Sequence, residues 1–318
     1  MTDRFAIEIV DLHKQFGRQT AVQGLNLQVR EGEIFSLLGP NGAGKSTTIS
    51  ILSGLIAPTR GEVTLMGNSL RTHPNQARAS LGVVPQDIAL YPDLSARENL
   101  YFWGRMYGLR GQTLNQRVAD VMELIGLSER QKDRVGTFSG GMKRRVNIGA
   151  ALLHHPDIVV LDEPTVGIDP QSRRHILDSV KELNRFGATV LYTTHYMEEA
   201  EELSDHIAIM DQGRLIAQGT HAELTQLVGE QTRLVLTLSQ PPDGVLEIWR
   251  QLPGVQQVWT EAENVHLLVG DSTAVLPHLF ETAAQAHVHI VTVSIQEPNL
   301  EAVLDRKSTR LNSSHLGL

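Results

Sequence analysis

Nine consecutive residues, Gly39-Pro40-Asn41-Gly42-Ala43-Gly44-Lys45-Ser46-Thr47, fit the pattern G-x-x-x-x-G-K-S/T in full. Glycines in such a loop let backbone N–H groups turn inward and cradle phosphate oxygens. A helix opening near Lys45 points its positive end at the same anion. Lys45 adds a full charge toward the β- and γ-phosphates of a nucleotide, and Ser46 offers a hydroxyl to Mg²⁺. The bland alternative is a glycine-rich turn that happens to precede Lys-Ser; four constrained positions after an apolar strand argue against it. Such a loop needs a second site for its metal, and Ile158-Val159-Val160-Leu161-Asp162-Glu163 supplies one. The apolar run reads as a buried strand with Asp162 at its carboxyl end, where ligands of open α/β sheets lie. Asp162 would hold the Mg²⁺ shell. Glu163, one residue on, would face the γ-phosphate and activate water as general base. Alone, Asp162-Glu163 would read as a solvated acidic turn; beside the phosphate loop it does not.

The surrounding pattern supplies the elements this chemistry needs. Ile34 to Leu38 is a short apolar run that suits a strand buried on both faces, and a helical pattern runs from Lys45 to Leu55. Upstream, Phe5 to Val10 and Ala21 to Val29 read as strands. Residues 87–140 read as helical, with aromatics from Leu100 to Tyr107 and helical spacing from Gln116 to Ile125. Residues 156–162 return to strand, a helix spans Gln171 to Phe186 and closes at Gly187, and Thr189 to Thr193 is β-branched strand. The alternation predicts an α/β fold: a P-loop NTPase core with a mainly parallel sheet, an antiparallel β portion at the N-terminus and a helical subdomain.

Composition shifts after about residue 230. Strand signals at Thr232–Leu238, Val255–Thr260, Val265–Val269 and His287–Ile295 interleave with helical signals at Gly244–Leu252 and Thr273–Ala286. That βαββαβ order predicts a small ferredoxin-like α+β domain. The expected divisions are an ATPase domain over 1–228 with its helical subdomain at about 87–140, an accessory domain over 229–305, and a tail over 306–318 that reads as non-native or disordered.

Of 318 residues, 41% are hydrophobic and 20% charged, which suits a globular protein, and the formal charge of −8 disfavours a nucleic-acid partner. With no cysteine, disulfides and zinc–thiolate sites are excluded. Met1-Thr2-Asp3-Arg4 opens with an early acid, so no signal peptide is expected, and no apolar run approaches the roughly 20 residues of a spanning helix. If the protein works at a membrane, another chain must do the spanning.

Ser139-Gly140-Gly141-Met142 precedes Lys143-Arg144-Arg145 and lies just upstream of Asp162-Glu163-Pro164-Thr165. With the loop at 39–47, this order resembles the ATP-binding cassette (ABC) ATPases over roughly residues 5–225. The resemblance implies that Ser139, Gly140 and Gly141 contact the γ-phosphate of ATP held by a partner subunit, at a site shared across a head-to-tail dimer. It implies that Gln86 senses Mg²⁺ and the attacking water, that His195 is the switch histidine at the γ-phosphate, that Asp169 lies in the segment linking the two sites, and that Phe16 stacks on adenine. Read without the family, these would be an N-cap serine, a solvated glutamine, a structural histidine and a core phenylalanine. Phe138, Met142, Phe16 and Val166-Gly167-Ile168-Asp169 depart from the commonest family pattern and resemble the type-2 exporter branch, which includes drug and antibiotic resistance ATPases. So does a C-terminal domain ending near Glu297-Pro298-Asn299-Leu300-Glu301.

What this implies is an ATPase subunit, peripheral on the cytoplasmic face of the cell membrane. It would pair with a second copy, or a related ATPase, and with a membrane-spanning permease, powering export with ATP and Mg²⁺. Region 87–138 would carry the motion to the permease, with Tyr101-Phe102-Trp103 either docking there or packing the subdomain. An importer subunit, a soluble cassette ATPase and a regulatory nucleotide-binding module stand as alternatives. The soluble families usually carry two cassettes, coiled coils or basic patches, none of which this sequence shows.

Overall fold

The computed structural model describes residues 4–228, 232–240, 244–262 and 264–296. The segments 297–301 and 306–318, read above as a domain end and a tail, lie outside the described residues. By its contacts the chain divides into two compact units, Met1–His221 and Ala222–Leu318.

In chain order the elements are β1 (Phe5–Phe16), β2 (Gln19–Arg30), β3 (Ile34–Leu38), α1 (Lys45–Leu52), β4 (Arg60–Leu65), β5 (Asn68–Ser69), α2 (Pro74–Ala79) and β6 (Leu81–Val84). The helices α3 (Ala96–Met106), α4 (Gly111–Leu124) and α5 (Gly140–Leu152) follow. Next are β7 (Ile158–Asp162), α6 (Pro170–Arg185), β8 (Thr189–Thr194), α7 (Met197–Leu203), β9 (His206–Asp211), β10 (Arg214–Gly219) and α8 (His221–Val228). The last group is β11 (Thr232–Leu238), α9 (Val245–Arg250), β12 (Val255–Glu261), β13 (Asn264–Val269), α10 (Ser272–Gln285) and β14 (Ile290–Gln296).

In the first unit, β2-β1-β4-β5 form an antiparallel sheet and β10-β9-β3-β8-β7-β6 a mainly parallel one. β3, β8, β7 and β6 run parallel as neighbours, so their carboxyl ends open on one edge. β3 and β7 are buried at every position, which is why they read as unbroken apolar runs. One core cluster joins the antiparallel sheet to the parallel one through Ile7, Leu27, Leu37, Ile51 and Leu191. A second packs α3, α4, α5 and α6 through Leu100, Val118, Ile148, Leu161 and Val180. Along α6, Ile176, Leu177, Val180 and Leu183 are buried, the stripe expected of a helix with one face on the core. Ser95 starts α3 with a capping box to Glu98.

Two expectations shift. α1 stops at Leu52 rather than Leu55, because Gly54 turns to φ 69° and the N–H groups of Leu55 and Ile56 both reach back to Ser50 O. The stretch 87–140 is not helical throughout; Pro92 and Gly126 punctuate it, and short 3₁₀ turns fill Ser128–Arg130 and Val135–Thr137. β4, β6 and the β9–β10 hairpin are strands beyond those the sequence predicts. In the second unit β12-β13-β11-β14 form an antiparallel sheet in the expected βαββαβ sequence, the ferredoxin-like arrangement.

Trp249 is fully buried in the second unit, and its indole N–H donates to Thr282 Oγ1 at 2.9 Å. Trp249→Ala should therefore cost about 3–5 kcal/mol. Urea unfolding followed by circular dichroism should place that loss in the second unit's transition and leave the first unit's unchanged.

Candidate functional site

The phosphate loop is held by backbone approaches that tolerate no side chain. A Cβ on Gly39 would fall 2.2 Å from Met210 O. Gly44 adopts φ 105°, and a Cβ there would lie 2.6 Å from Ala21 O. The turn of the β9–β10 hairpin braces the loop from below: Gly213 N–H donates to Ala43 O at 2.9 Å, and Gly213 O accepts from Gln23 N–H at 2.7 Å. From the β8 end, Thr194 O accepts from Gly39 N–H at 3.3 Å.

Lys45 is 4% exposed; its ammonium donates to Gly39 O at 2.6 Å and Pro40 O at 3.1 Å, and sits 3.0 Å from Glu163 Oε1. Ser46 Oγ donates to Asp162 Oδ1 at 3.3 Å. The same carboxylate oxygen accepts from Thr193 Oγ1 at 2.7 Å, while Thr193 Oγ1 accepts from Glu163 N–H at 2.9 Å. Thr193 thus fixes both acids from the neighbouring strand, as the Asp162–Thr193 register requires. Glu163 adopts φ 44°, left-handed backbone that a glutamate occupies only at a cost of order 1–3 kcal/mol. That bend turns its side chain off the strand line toward Lys45 on one side and toward His195, whose Nδ1 lies 3.3 Å from Glu163 Oε2, on the other.

One cleft of about 550 Å³ is lined by Phe16, Asn41, Gly42, Ala43, Gly44, Lys45, Ser46, Thr47, Gln86, Glu163 and His195, together with Gln19, Thr20, Ala21 and Val166. Gly39 and Pro40 serve it through their carbonyls, and Asp162 lies beneath it, nearly buried. Phe16 is 50% exposed, so it is a rim residue and not a core one; Lys14 Nζ stands 4.9 Å from its ring centroid. The oxygen set of Ser46 and Asp162, with the Gln86 amide in the same cleft, suits a small hard cation such as Mg²⁺.

Ser139, Gly140, Gly141 and Asp169 do not line that cleft. They lie beside one another instead. Ser139 Oγ caps α5 by accepting from Met142 N–H at 3.3 Å, and Asp169 Oδ1 caps α6 by accepting from Ser172 N–H at 2.9 Å. The hydrogen bonds from Ser172 hold the Asp169 carboxyl below its ordinary pKa. A Cβ on Gly141 would fall 2.0 Å from Ser172 Oγ, so glycine is what lets the two helix starts meet.

Two contributors escaped the sequence reading. The sequence shows Thr193 only as a β-branched strand residue. Arg144, almost fully buried, donates to Pro85 O at 2.7 Å and Gln86 O at 2.5 Å, tying the start of α5 to the Gln86 loop. Burial pushes its pKa down, opposed by the charge of Asp87. An arginine one turn into a capped helix was the available signal, but its target lies far off in sequence.

A family model described as ABC transporter matches residues 22–166. The chain is 48% identical over 299 residues to the linearmycin resistance ATP-binding protein LnrL of Bacillus subtilis (strain 168), covering 93% of this chain and 96% of that protein. It is 37% identical over 305 residues to the Nod factor export ATP-binding protein I of Paraburkholderia xenovorans (strain LB400), covering 96% and 97%. Among solved structures, a dimeric post-hydrolysis ATP-binding cassette bound to ADP and Pi superposes with a TM-score of 0.61 at 27% identity, covering 67% of this chain and 98% of that one.

Thr193→Val keeps the shape of the side chain, removes the acceptor of Glu163 N–H and leaves Asp162 Oδ1 with the Ser46 hydroxyl alone. It should destabilise the chain by about 1–3 kcal/mol, read as a lower midpoint in denaturant with an unchanged slope.

Proposed function

The chain belongs to the ABC transporter family as an ATP-binding subunit, and from that premise we propose that it holds Mg-ATP in the cleft around Lys45, hydrolyses it at Glu163 and so drives export through a separate membrane-spanning permease. The observation that carries this reading is the convergence of Lys45, Gln86, Glu163 and His195, delivered by four adjacent parallel strands, on one cleft. Backbone N–H groups of the loop and the ammonium of Lys45 would bind the phosphates. Phe16 offers its exposed face to the adenine. Ser46, Gln86 and Asp162 would hold Mg²⁺, which neutralises phosphate charge when bound. Glu163 takes the proton of the attacking water as its oxygen bonds the γ-phosphorus and the bond to ADP breaks, and His195 steadies the γ-phosphate from the far side.

Ser139, Gly140, Gly141 and Asp169 gather outside the cleft, which suits a site completed by a second copy arranged head to tail. No helix among the described residues is long and apolar enough to cross a membrane. In this reading a partner chain supplies the pore and this subunit sits at the cytoplasmic membrane face. A shallow groove along α3, lined by Leu94, Glu98, Tyr101, Phe102, Arg105 and Met106, offers that partner a seat. Trp103 faces inward instead, its N–H donating to Ala89 O at 3.2 Å. The cargo in this reading is a drug, an antibiotic or a lipid-like compound, supported by relatives named for linearmycin resistance and Nod factor export.

Glu163→Gln should retain ATP binding, measured by equilibrium dialysis, and lower hydrolysis by about 10²–10⁴-fold. Hydrolysis left intact would remove Glu163 from the reaction. The export reading is tested by purifying the tagged chain from detergent-solubilised membranes of its host. Recovery of a multi-spanning protein with enhanced ATPase activity is expected; recovery of ribosomes or soluble proteins alone would overturn it.

A further inference from the structure

The carboxylate of Glu199, on α7, is 2% exposed and belongs to none of the motifs described above. A charge buried that deeply persists only with compensating partners. Its Oε2 accepts three hydroxyls: Thr165 Oγ1 at 3.0 Å, Tyr192 Oη at 2.9 Å and Thr194 Oγ1 at 2.9 Å. Thr165 lies in the turn that follows Glu163, and Thr194 directly precedes His195. Burial pushes the Tyr192 phenol pKa well up, which keeps it a donor. Thr194 Oγ1 also accepts the N–H of Tyr196 at 3.0 Å, so both chain neighbours of His195 are pinned to this one acid.

The other oxygen faces a different element. Arg173 Nε stands 3.4 Å from Glu199 Oε1, and neither atom has a hydrogen-bond partner. The same guanidinium lies 4.5 Å from the Tyr196 ring centroid, and that ring lies against His195, tilted by 39° with centroids 4.1 Å apart. Arg173 is in the first turn of α6, where its N–H donates to Asp169 O at 2.9 Å. Asp169 is thereby joined to His195 by two short routes that share Arg173: one through Glu199 and Thr194, the other through Tyr196.

We propose that Glu199, paired with Arg173, is a positioning residue for hydrolysis that sets His195 against the start of α6. This rests on the catalytic reading of His195 and Glu163 given above. The three hydroxyls all reach Oε2 and leave Oε1 to Arg173, so this buried charge is balanced by an arginine on α6 and not by a group of its own helix. The arginine gives the start of α6 a direct hold on the histidine, at a helix start that packs against the Ser139–Gly141 segment.

Glu199→Gln separates the two roles. Its amide oxygen still accepts the hydroxyls, while its N–H opposes Arg173. In the full-length chain, single-turnover and steady-state hydrolysis should show kcat lowered about tenfold with KM for ATP within about twofold, as for loss of an interaction made in the transition state. Arg173→Gln should match it, and the double variant should be no worse than either single one. In a His195→Ala background, Glu199→Gln should lower the residual rate no further. An unchanged kcat, a loss that tracks a lowered thermal midpoint, or an equal further loss beside His195→Ala would each overturn the proposal. If His195→Ala is inactive and Glu199→Gln fully active, only this proposal falls. If His195→Ala is fully active, the catalytic reading of His195 falls and takes the proposal with it.

Discussion

The ion pair between Lys45 and Glu163 is the constraint around which the first unit is arranged. Both side chains are almost fully buried, and their charged atoms lie 3.0 Å apart. Burying an ammonium and a carboxylate is tolerable only with close opposite charge and further hydrogen bonds, and removing one partner of such a pair typically costs about 3–5 kcal/mol. The carbonyls of Gly39 and Pro40 complete the ammonium's shell, and the Thr193 hydroxyl anchors the backbone from which Glu163 departs. A phosphate entering the cleft meets a cation whose position is already settled, so little reorganisation is left for the bound state.

Parallel strands make that arrangement possible. β3, β8, β7 and β6 deliver the phosphate loop, His195, Asp162-Glu163 and Gln86 to a single edge in spatial order, although the residues span positions 39 to 195 in the chain. Register then does the fine placement, since Asp162 lies opposite Thr193 and Leu38 opposite Thr194. The helices supply the second layer of control: Arg144 reaches from α5 to the Gln86 loop, and Glu199 reaches from α7 to the ends of β7 and β8.

Much of the cleft was legible in the sequence because its demands are local. A phosphate cradle needs glycines at fixed offsets before a lysine and a hydroxyl, and a buried parallel strand needs an unbroken apolar run, so 34–47 and 158–163 declare themselves. Thr193 and Arg144 act on partners 30 or more positions away, and Glu199 adds Thr165, 34 positions back, to its near neighbours Tyr192 and Thr194; nothing in their own neighbourhoods encodes the distant pairings. Strand β6 is silent in the sequence because Leu81-Gly82-Val83-Val84 is too short to express a period, and its glycine argues against a strand, although Ala151 O leaves no room for a Cβ there. The second unit was easier, since each of its strands alternates or clusters apolar residues between clear turns. The tilt of Glu163 into left-handed backbone had no signal, because glutamate is not a residue that advertises positive φ.

The hairpin turn at Gln212-Gly213 has the look of a convenient place to splice in an epitope or a fluorescent reporter. It is a tight surface turn between two ordinary strands, the kind of place where extra residues usually go unnoticed. Here its two backbone bonds, to Ala43 and to Gln23, clamp the phosphate loop to the antiparallel sheet, and a Cβ on Gly213 would lie 2.7 Å from Ala21 O. Lengthening that turn by even one residue would take the clamp out of reach. A labelled protein made this way would fold, keep every residue of its cleft, and still grip nucleotide poorly.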